Sequence, residues 1–377
     1  MKRLARRLGV VTLLLFAVVI AGCGVPGTIA SSGKLPAARP APAQTSLPPV
    51  SFPQDEAPHH DLTEWWYYTG HLYTRDTTGR TLTYGFELTF FQTLRGQFAP
   101  YYAAHFAISD ISGGQFHYDQ RAGFEQPNVI PASGSTAGFD VNVGGWTARG
   151  LNGHDALTAS MNGYLIDLRL TGEKPAVLHG GNGIITYGEA GFSYYYSRPL
   201  MSVGGTLTAN GKTLAVTGQA WMDHQWGNFL SLAGAGWDWY SLQLNNNTEY
   251  MLYIIRDAQK RPISVFGTAV APDGTASEIA SNDIHIQATG AWVSPVTGGD
   301  YPSGWTITIP SQSLSLSVTP LLRDQELVTT CSTGVAYWEG AVAVGGAGGA
   351  REPAGVGYVE LTGYAATPAN ASCLATP

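Results

Sequence analysis

The sequence is poor in cysteine and in charged side chains. Its 377 residues include three cysteines and only 12% Asp, Glu, Lys and Arg, against 11% aromatic residues and 47 glycines. Helical bundles and disordered chains carry more charge than this, so both classes are disfavoured. After residue 22, no segment is apolar enough to span a membrane and none shows a long helical period. This composition is typical of a β protein rich in glycine and aromatic residues.

Positive charge is especially scarce. The net charge is -7, and four of the positive residues are Lys2, Arg3, Arg6 and Arg7 at the start of the chain. Without them, 16 Lys and Arg remain against 27 Asp and Glu, which gives a net charge of -11. An acidic chain without a Lys/Arg cluster disfavours nucleic acid and anionic lipid as partners.

The first 22 residues are predicted to be a lipoprotein signal peptide. A basic segment, residues 2–7, precedes an apolar run, residues 8–20, and then Ala21, Gly22 and Cys23. Cleavage before Cys23 would leave this cysteine to carry the lipid. The alternative is a short membrane anchor with a chance cysteine, but the run is shorter than the ~20 residues of a spanning helix. The predicted location is therefore the bacterial cell envelope, lipid-anchored on the extracytoplasmic face of the membrane.

The remaining two cysteines are Cys331 and Cys373. Outside the cytoplasm two such thiols tend to pair, so we predict a disulfide, with two free buried thiols as the alternative. Neither cysteine lies in a zinc-binding pattern, and no cofactor is predicted. Residues 23–50 are rich in Pro and Ala and lack the apolar density of a core, which predicts a flexible tether.

From residue 51 onwards the sequence predicts short β-strands separated by turns. An aromatic run at residues 64–72 is followed by a turn and by a strand, residues 81–91, with alternating apolar positions. Asn162-Gly163 and Asn210-Gly211 are typical two-residue hairpin turns. The same pattern of aromatic strand, polar turn and long return strand recurs after residue 236. Many short strands predict a sandwich or barrel, and the repeat predicts two of them.

Two runs in the middle of the chain, residues 219–227 and 236–240, hold the densest set of functional side chains. In an extended strand, one face carries Trp221, Asp223 and Gln225, and the other carries Met222, His224 and Trp226. We therefore expect His224 and Trp226 to line a cavity between the two halves, and Asp223 to orient other groups.

These side-chain types fit one kind of chemistry. A buried acid with a raised pKa can protonate a weakly basic group, and an imidazole can hold a proton or position water. Indole faces stabilise a cation that lacks bulk water. The set fits addition of water to an isoprenoid double bond, or the reverse, and it equally fits a binding pocket for an apolar ligand. The chain lacks a Gly-x-Ser-x-Gly motif and a phosphate-binding loop in a strand–turn–helix context.

The candidate residues follow from these runs. Proton-handling candidates are Asp223, His224, Asp238 and Glu64. The expected ligand-binding residues are Trp65, Trp66, Tyr195, Trp226, Trp237, Trp239 and Tyr240.

Each acid and base also has a structural interpretation. Glu64 could be bonded to backbone, His224 could be a core histidine, and Asp238 could pair with Arg256. The run His59-His60-Asp61 resembles a metal cluster, but one short run cannot supply three well-placed ligands, so no metal site is predicted.

Several motifs resemble the AttH-like family, which is related to carotenoid 1,2-hydratase. They are Glu64-Trp65-Trp66-Tyr67, residues 194–199 (YYYSRP), residues 221–227 (WMDHQWG), residues 236–239 (GWDW), residues 337–340 (YWEG) and residues 357–364 (GYVELTGY). The resemblance covers roughly residues 52–364 in order. It implies an all-β fold of two tandem lipocalin-like antiparallel β-barrels with few helices, residues 51–232 and 233–377.

The resemblance also implies candidate activities. The family includes hydratases of acyclic carotenoids, relatives that act as pericyclases, and many secreted proteins of unknown role. In the hydratases an acid, a histidine and aromatic residues protonate the alkene and guide water, which corresponds here to Asp223, His224 and Trp226, and less directly to Asp238. We expect a lipid-anchored protein with a cavity for an isoprenoid or lipid-like molecule, either a cofactor-free hydratase or lyase or a non-catalytic carrier. A structural envelope protein, by contrast, would enclose no cavity.

Overall fold

A computed structural model describes residues 47–95, 99–124, 133–187, 191–229, 236–346 and 353–365. This part of the chain forms antiparallel strands, and its helical structure is limited to four single turns, at Gln54–Glu56, His179–Gly181, Ser281–Asp283 and Pro310–Gln312. The all-β prediction is confirmed. The predicted signal peptide with Cys23, most of the tether, and Cys373 lie outside the described residues. Cys331 is disulfide-bonded, and its pairing with Cys373 stays a prediction.

The first half of the chain forms a nearly closed barrel. Its strands are β1 Thr63–Arg75, β2 Thr81–Thr93, β3 Tyr101–Asp110, β4 Gln115–Gly123, β5 Phe139–Val143, β6 Trp146–Leu151, β7 His154–Met161, β8 Tyr164–Gly172, β9 Val177–Leu178, β10 Ile184–Thr186, β11 Gly191–Ala209 and β12 Lys212–Phe229. Their order is β4-β3-β2-β1-β12-β11-β8-β7-β6-β5, with β9 and β10 added to β11. The terminal strands β4 and β5 come close to each other, which nearly closes the sheet on itself.

The second half forms a half-barrel. Its strands are β13 Gly236–Leu244, β14 Glu249–Arg256, β15 Pro262–Val270, β16 Ala276–Glu278, β17 His285–Ala288, β18 Ala291–Val293, β19 Asp300–Pro302, β20 Trp305–Ile309, β21 Leu314–Pro320, β22 Glu326–Thr329, β23 Val335–Gly346 and β24 Pro353–Thr362. The sheet order is β16-β15-β14-β13-β24-β23-β21-β20-β17, β22 pairs with β23, and β18 and β19 form a separate ribbon. The predicted domain boundary at residues 232 and 233 falls in the gap 230–235.

The β11–β12 hairpin contains the two longest described strands of the first barrel. Its turn is Asn210-Gly211, and both residues have positive φ, 50° and 77°. Two successive positive φ values match a type I′ turn, whose twist fits the flanking strands. From sequence, Arg198-Pro199 predicts the end of a strand, whereas the structure has one strand with an irregular register between Arg198 and Met201.

The first barrel has a densely packed core. Strand alternation directs one set of side chains inward, where they pack together without solvent exposure, among them Trp66, Tyr68, Phe86, Phe90, Trp146 and Tyr196. Aromatic side chains bury large areas and fill such an interior well.

The outward face of the first barrel is also buried along β1, β2, β3 and parts of β11 and β12, where it packs against the half-barrel. Tyr67, Tyr195 and Trp221 from the first sheet join Trp239 and Tyr253 from the second in one hydrophobic cluster. Strands buried on both faces have nearly continuous apolar runs, as β1, β3 and β12 do. Within the described residues, no helix has the length and apolarity needed to cross a membrane.

Candidate functional site

A cavity of about 60 Å³ lies between the two sheets. Its aromatic lining consists of Trp65, Tyr67, Phe91, Tyr195, Trp237, Trp239, Tyr253 and Tyr337, and its polar lining of Glu87, Thr89, Asp223, Gln225 and Glu360. The partly exposed members include Trp65, Phe91 and Trp237, near the ends of their strands. The cavity therefore leads from a mouth lined by indoles to a buried polar interior.

Strand register explains why these side chains meet. Tyr67 on β1 lies opposite Asp223 on β12 and Thr89 on β2. On the second sheet, Glu360 on β24 lies opposite Trp239 on β13 and Glu339 on β23. Directly opposed residues point to the same face of a sheet. Each sheet thus presents one row of polar and aromatic side chains to the other.

Asp223 is held by several donors. The Tyr195 hydroxyl donates to its Oδ2 at 2.7 Å and the Trp221 indole N–H donates to its Oδ1 at 2.6 Å. Ser197 donates to the same Oδ1, and the Trp239 N–H donates to the Tyr195 oxygen at 2.9 Å. Burial raises the pKa of Asp223 to about 7, although these hydrogen bonds oppose the rise. The orientation of this carboxylate is fixed by both sheets.

Glu87 lies on β2 across the cavity. Thr89 donates to its Oε1 at 2.7 Å and Tyr337 donates to the same oxygen at 3.1 Å. His105 Nδ1 lies 2.7 Å from the Tyr337 hydroxyl. The buried Oε2 of Glu87 has no partner among the described residues. Burial raises the pKa of Glu87 to about 7.

Glu339 and Glu360 are neighbours on β23 and β24. The Tyr67 hydroxyl donates to Glu339 Oε1 at 2.8 Å, and the Trp237 N–H donates to Glu360 Oε2 at 2.8 Å. Burial, together with the nearby carboxylates, raises the pKa of Glu360 to about 8 and that of Glu339 well above its ordinary range. No Lys or Arg is found among the described residues that line the cavity. At neutral pH the site therefore holds protonated carboxylic acids in an aromatic environment.

Five of the sequence-predicted residues line this cavity. They are Asp223, Trp65, Tyr195, Trp237 and Trp239. The expected alternation on β12 is also present, since Asp223 faces the half-barrel while His224 and Trp226 face the core of the first barrel. The expected assignment of the two faces is reversed, because His224 and Trp226 do not line the cavity.

Glu64, Trp66, Trp226 and His224 lie on the other side of the β1–β12 pair. His224 Nε2 is 2.8 Å from Glu64 Oε1, and His59 Nδ1 is 2.8 Å from the same oxygen. Burial acts to raise the pKa of Glu64, but its hydrogen bonds with the two histidines lower it below the ordinary value. The backbone N–H of His59 also donates to Glu64. The prediction that Glu64, Trp66, His224 and Trp226 belong to the cavity between the two halves is therefore corrected, because strand alternation sends them inward.

Asp238 and Tyr240 face the interior of the half-barrel. Arg256 donates to Asp238 Oδ1 at 2.9 Å, and the Tyr364 hydroxyl donates to the same oxygen at 3.0 Å. Tyr240 packs in the half-barrel core. The expectation that Asp238 and Tyr240 reach the cavity is likewise corrected. The alternative interpretation, an Asp238–Arg256 pair, describes the geometry that is found.

Sequence reasoning missed the carboxyl groups of the cavity other than Asp223. Strand alternation places Glu87 opposite the apolar face, and the mid-strand positions of Glu339 and Glu360 fit carboxylates at a barrel mouth, so neither pattern marks them as cavity residues. The available signal was an acid with aromatic neighbours inside a strand that is buried on both faces. Such a carboxyl group is costly unless it has a function or a partner.

The contact between Tyr67 and Glu339 yields a testable expectation. Tyr67→Phe removes the hydroxyl that donates to a fully buried carboxyl group. We expect the free energy of unfolding to fall by about 1–3 kcal/mol, the cost of leaving a buried polar group without its partner. Urea denaturation measures this.

Tyr73→Phe is the matched control, since Tyr73 lies on the same strand and is partly exposed. It should change the free energy of unfolding by less than about 0.5 kcal/mol. Equal losses in the two variants would show that the Tyr67 hydroxyl stabilises nothing in particular.

Comparison with known proteins places the chain in a family. The AttH-like family model matches residues 43–364. A crystal structure assigned to AttH from Nitrosomonas europaea is similar, with 31% identity, a TM-score of 0.74, and coverage of 88% of this chain and 100% of that one. No functionally curated protein matches the chain.

Kievitone hydratase from Nectria haematococca has the same fold, with a TM-score of 0.64 and 20% identity over 87% of this chain and 97% of that one. The family match spans nearly all the described strands and the whole cavity lining. The chain is thus a member of the AttH-like family.

Proposed function

We propose that this protein is a cofactor-free hydratase or lyase that adds water to, or removes it from, an isoprenoid or lipid-like substrate in the cavity between the sheets. The observation that carries the proposal is the group of buried carboxyl groups with raised pKa values beside indole and phenol rings. We further propose that the protein is anchored in the cell envelope by a lipid on Cys23, which would hold it beside apolar substrates.

Glu360 is the best candidate for the proton donor. Its pKa of about 8 keeps it protonated at neutral pH. Trp237 binds one of its oxygens and it remains partly exposed to the cavity. A general acid works best when its pKa lies near the working pH.

Glu87 is the matching base. Its pKa is about 7, and its Oε2 lacks a partner among the described residues, so this oxygen is free to bind a water. Two acids with different pKa values in one site can divide the roles of acid and base. Glu360 would donate its proton to one alkene carbon, the water oxygen would bond to the other, and the water proton would pass to Glu87. Exchange with solvent would then restore both groups.

The cation formed between these two steps needs stabilisation. Trp65, Trp237 and Trp239 offer indole faces, which attract cations most strongly where water is excluded. Asp223, fixed by its donors, supplies a negative charge when it is ionised. A cavity of about 60 Å³ accommodates only a few water-sized groups, so it would hold the reacting end of a longer molecule. Kievitone hydratase has the same fold, which supports the proposal.

A non-catalytic carrier of a lipid or pigment is the alternative function. We propose the same cavity as the binding site of such a carrier, because its lining is mostly aromatic. An enzyme of this class forms a bond between a substrate carbon and hydrogen from solvent, whereas a carrier leaves its ligand unchanged.

Deuterium incorporation separates the two functions. The purified protein is incubated in D₂O with squalene or geranylgeraniol as the probe, and the recovered probe is examined by mass spectrometry. An enzyme of the proposed class incorporates deuterium at carbon or yields an alcohol. Binding of both probes without deuterium uptake or product would contradict catalysis on acyclic isoprenoids and support the carrier. Native mass spectrometry of protein purified from membranes then identifies any molecule that copurifies.

A further inference from the structure

A second cluster of potential ligands lies on the opposite side of the β1–β12 pair from the cavity. It consists of His59, which precedes β1, Glu64 on β1 and His224 on β12. One ligand atom from each residue lies within 4.8 Å of the others. One short run cannot supply three well-placed metal ligands, but here the third ligand, His224, comes from a strand 160 residues after Glu64.

The two imidazoles converge on one carboxylate oxygen. His59 Nδ1 and His224 Nε2 each lie 2.8 Å from Glu64 Oε1. In a tetrahedral zinc site with bonds of about 2.0–2.1 Å, neighbouring ligand atoms are about 3.3 Å apart. Each N···O distance would lengthen by roughly half an ångström, and the two nitrogens, which lie within 4.8 Å of each other, would approach by up to about 1.5 Å to form a coordination site with two imidazole nitrogens and one carboxylate oxygen.

The second nitrogen of each imidazole also has an oxygen partner. His59 Nε2 lies 3.5 Å from Asp55 Oδ1, and His224 Nδ1 lies 3.3 Å from the Tyr196 hydroxyl. Metal-ligating histidines usually engage their other ring nitrogen in this way, which fixes the tautomer and the orientation of the ring. Hydrogen bonding around the cluster thus already has the arrangement of an outer coordination shell.

Ring packing holds the imidazoles in place. The His59 ring stacks on Trp226 with centroids 4.0 Å apart and an angle of 3°, and the His224 ring stacks on Trp66 at 4.9 Å and 22°. Glu64 and His224 are fully buried, and His59 is 9% exposed. Ligands that packing orients in advance lose little freedom on binding a metal ion.

We propose that His59, Glu64 and His224 form a binding site for one divalent transition-metal ion, with Zn²⁺ the best match. Two imidazoles and one carboxylate suit zinc and leave a fourth position for water. The ion would link the segment before β1 to β1 and β12. It would thereby fasten this segment across the end of the first barrel, independently of the cavity between the sheets.

The test is metal binding by the full chain after chelator treatment and dialysis. Isothermal titration with Zn²⁺ should show one equivalent bound, and Co²⁺ should give the visible absorption bands of a site with nitrogen and oxygen ligands. His59→Ala should weaken Zn²⁺ binding by more than about 100-fold, and Tyr196→Phe by about tenfold. Zn²⁺ should also raise the melting temperature of the unaltered protein but not that of His59→Ala.

His60→Ala is the matched control, since His60 is the exposed neighbour of His59. This variant should bind Zn²⁺ like the unaltered protein. Both histidines lie before β1, so the two variants change the same segment. Circular dichroism of each variant shows whether it is folded. A folded His59→Ala variant that does not bind Zn²⁺ has therefore lost a ligand. Absence of stoichiometric Zn²⁺ and Co²⁺ binding by the unaltered protein, or equal binding by a folded His59→Ala variant, would overturn the proposal.

Discussion

Raising the pH from about 6.5 to about 8 should lower the free energy of unfolding by roughly 2 kcal/mol or more. The cause is the group of buried acids between the sheets. In the folded protein Glu360 has a pKa of about 8 and Glu339 a pKa well above the ordinary value. In the unfolded chain both groups ionise near their ordinary pKa of about 4.3.

The sign follows from proton counting. Between the unfolded and the folded pKa, the folded state holds a proton that the unfolded state has released, so stability falls as the pH rises. An acid contributes about 1.4 kcal/mol per pH unit well below its folded pKa and half of that at this pKa, so Glu360 gives most of the stated change and Glu339 adds to it in the same direction. His59, whose pKa is raised to about 9 by hydrogen bonds to Asp55 and Glu64 despite burial, acts in the same direction. Below pH 6.5 the buried neutral histidines His105 and His179 oppose this trend, since burial lowers the pKa of each to about 3.

Urea denaturation at several pH values measures this effect. The double variant Glu339→Gln, Glu360→Gln is the control, because glutamine keeps the volume and the acceptor oxygen but cannot ionise. Its stability should fall much less over the same range, with the remaining slope due to His59, Glu87 and Asp223. A stability that is flat or rising from pH 6.5 to 8 in the unaltered protein would show that these acids are not protonated in the folded state.

Glu360→Gln should lower the turnover rate by about 10²–10⁴-fold if the protein is a hydratase, which is the usual contribution of a general acid. The glutamine oxygen can still accept the hydrogen bond from Trp237, so the shape of the cavity should persist. Substrate affinity should change little, because the removed proton is transferred only in the transition state. Steady-state kinetics with the probe that incorporates deuterium measures both quantities.

Glu339→Gln is the matched control for turnover. Glu339 lies directly opposite Glu360 in the β23–β24 register, is a buried acid, and is not part of the cavity lining. It should reduce turnover by less than about tenfold, since it does not contact the substrate space. If both variants lose turnover equally, or Glu360→Gln loses none, Glu360 is not the proton donor.

The strands and turns could be predicted from the sequence because the patterns that specify them are local. Alternating apolar residues in β2 and the Asn210-Gly211 turn depend on neighbours within a few positions, and both were interpreted correctly. The continuity of β11 through Arg198 was missed, because a β-bulge depends on the partner strand.

The candidate site could be predicted from the sequence only in part. Alternation separates Asp223 from His224 whatever the fold, and that separation was predicted. Alternation cannot say which face meets a second sheet, so the cavity was assigned to the side of His224. Asp238 was misplaced for the same reason.

The sequence by itself determined the strand pattern, the hairpin turns, the family motifs and the grouping of side chains by face. Only the tertiary structure decided that the half-barrel covers part of the outer face of the first barrel, which buries Glu87, Asp223 and Glu339 and leaves Glu360 half-buried beside them. The physical reason is that a pKa shift depends on desolvation and on charges from distant strands, whereas a sequence pattern reports only which neighbours share a side.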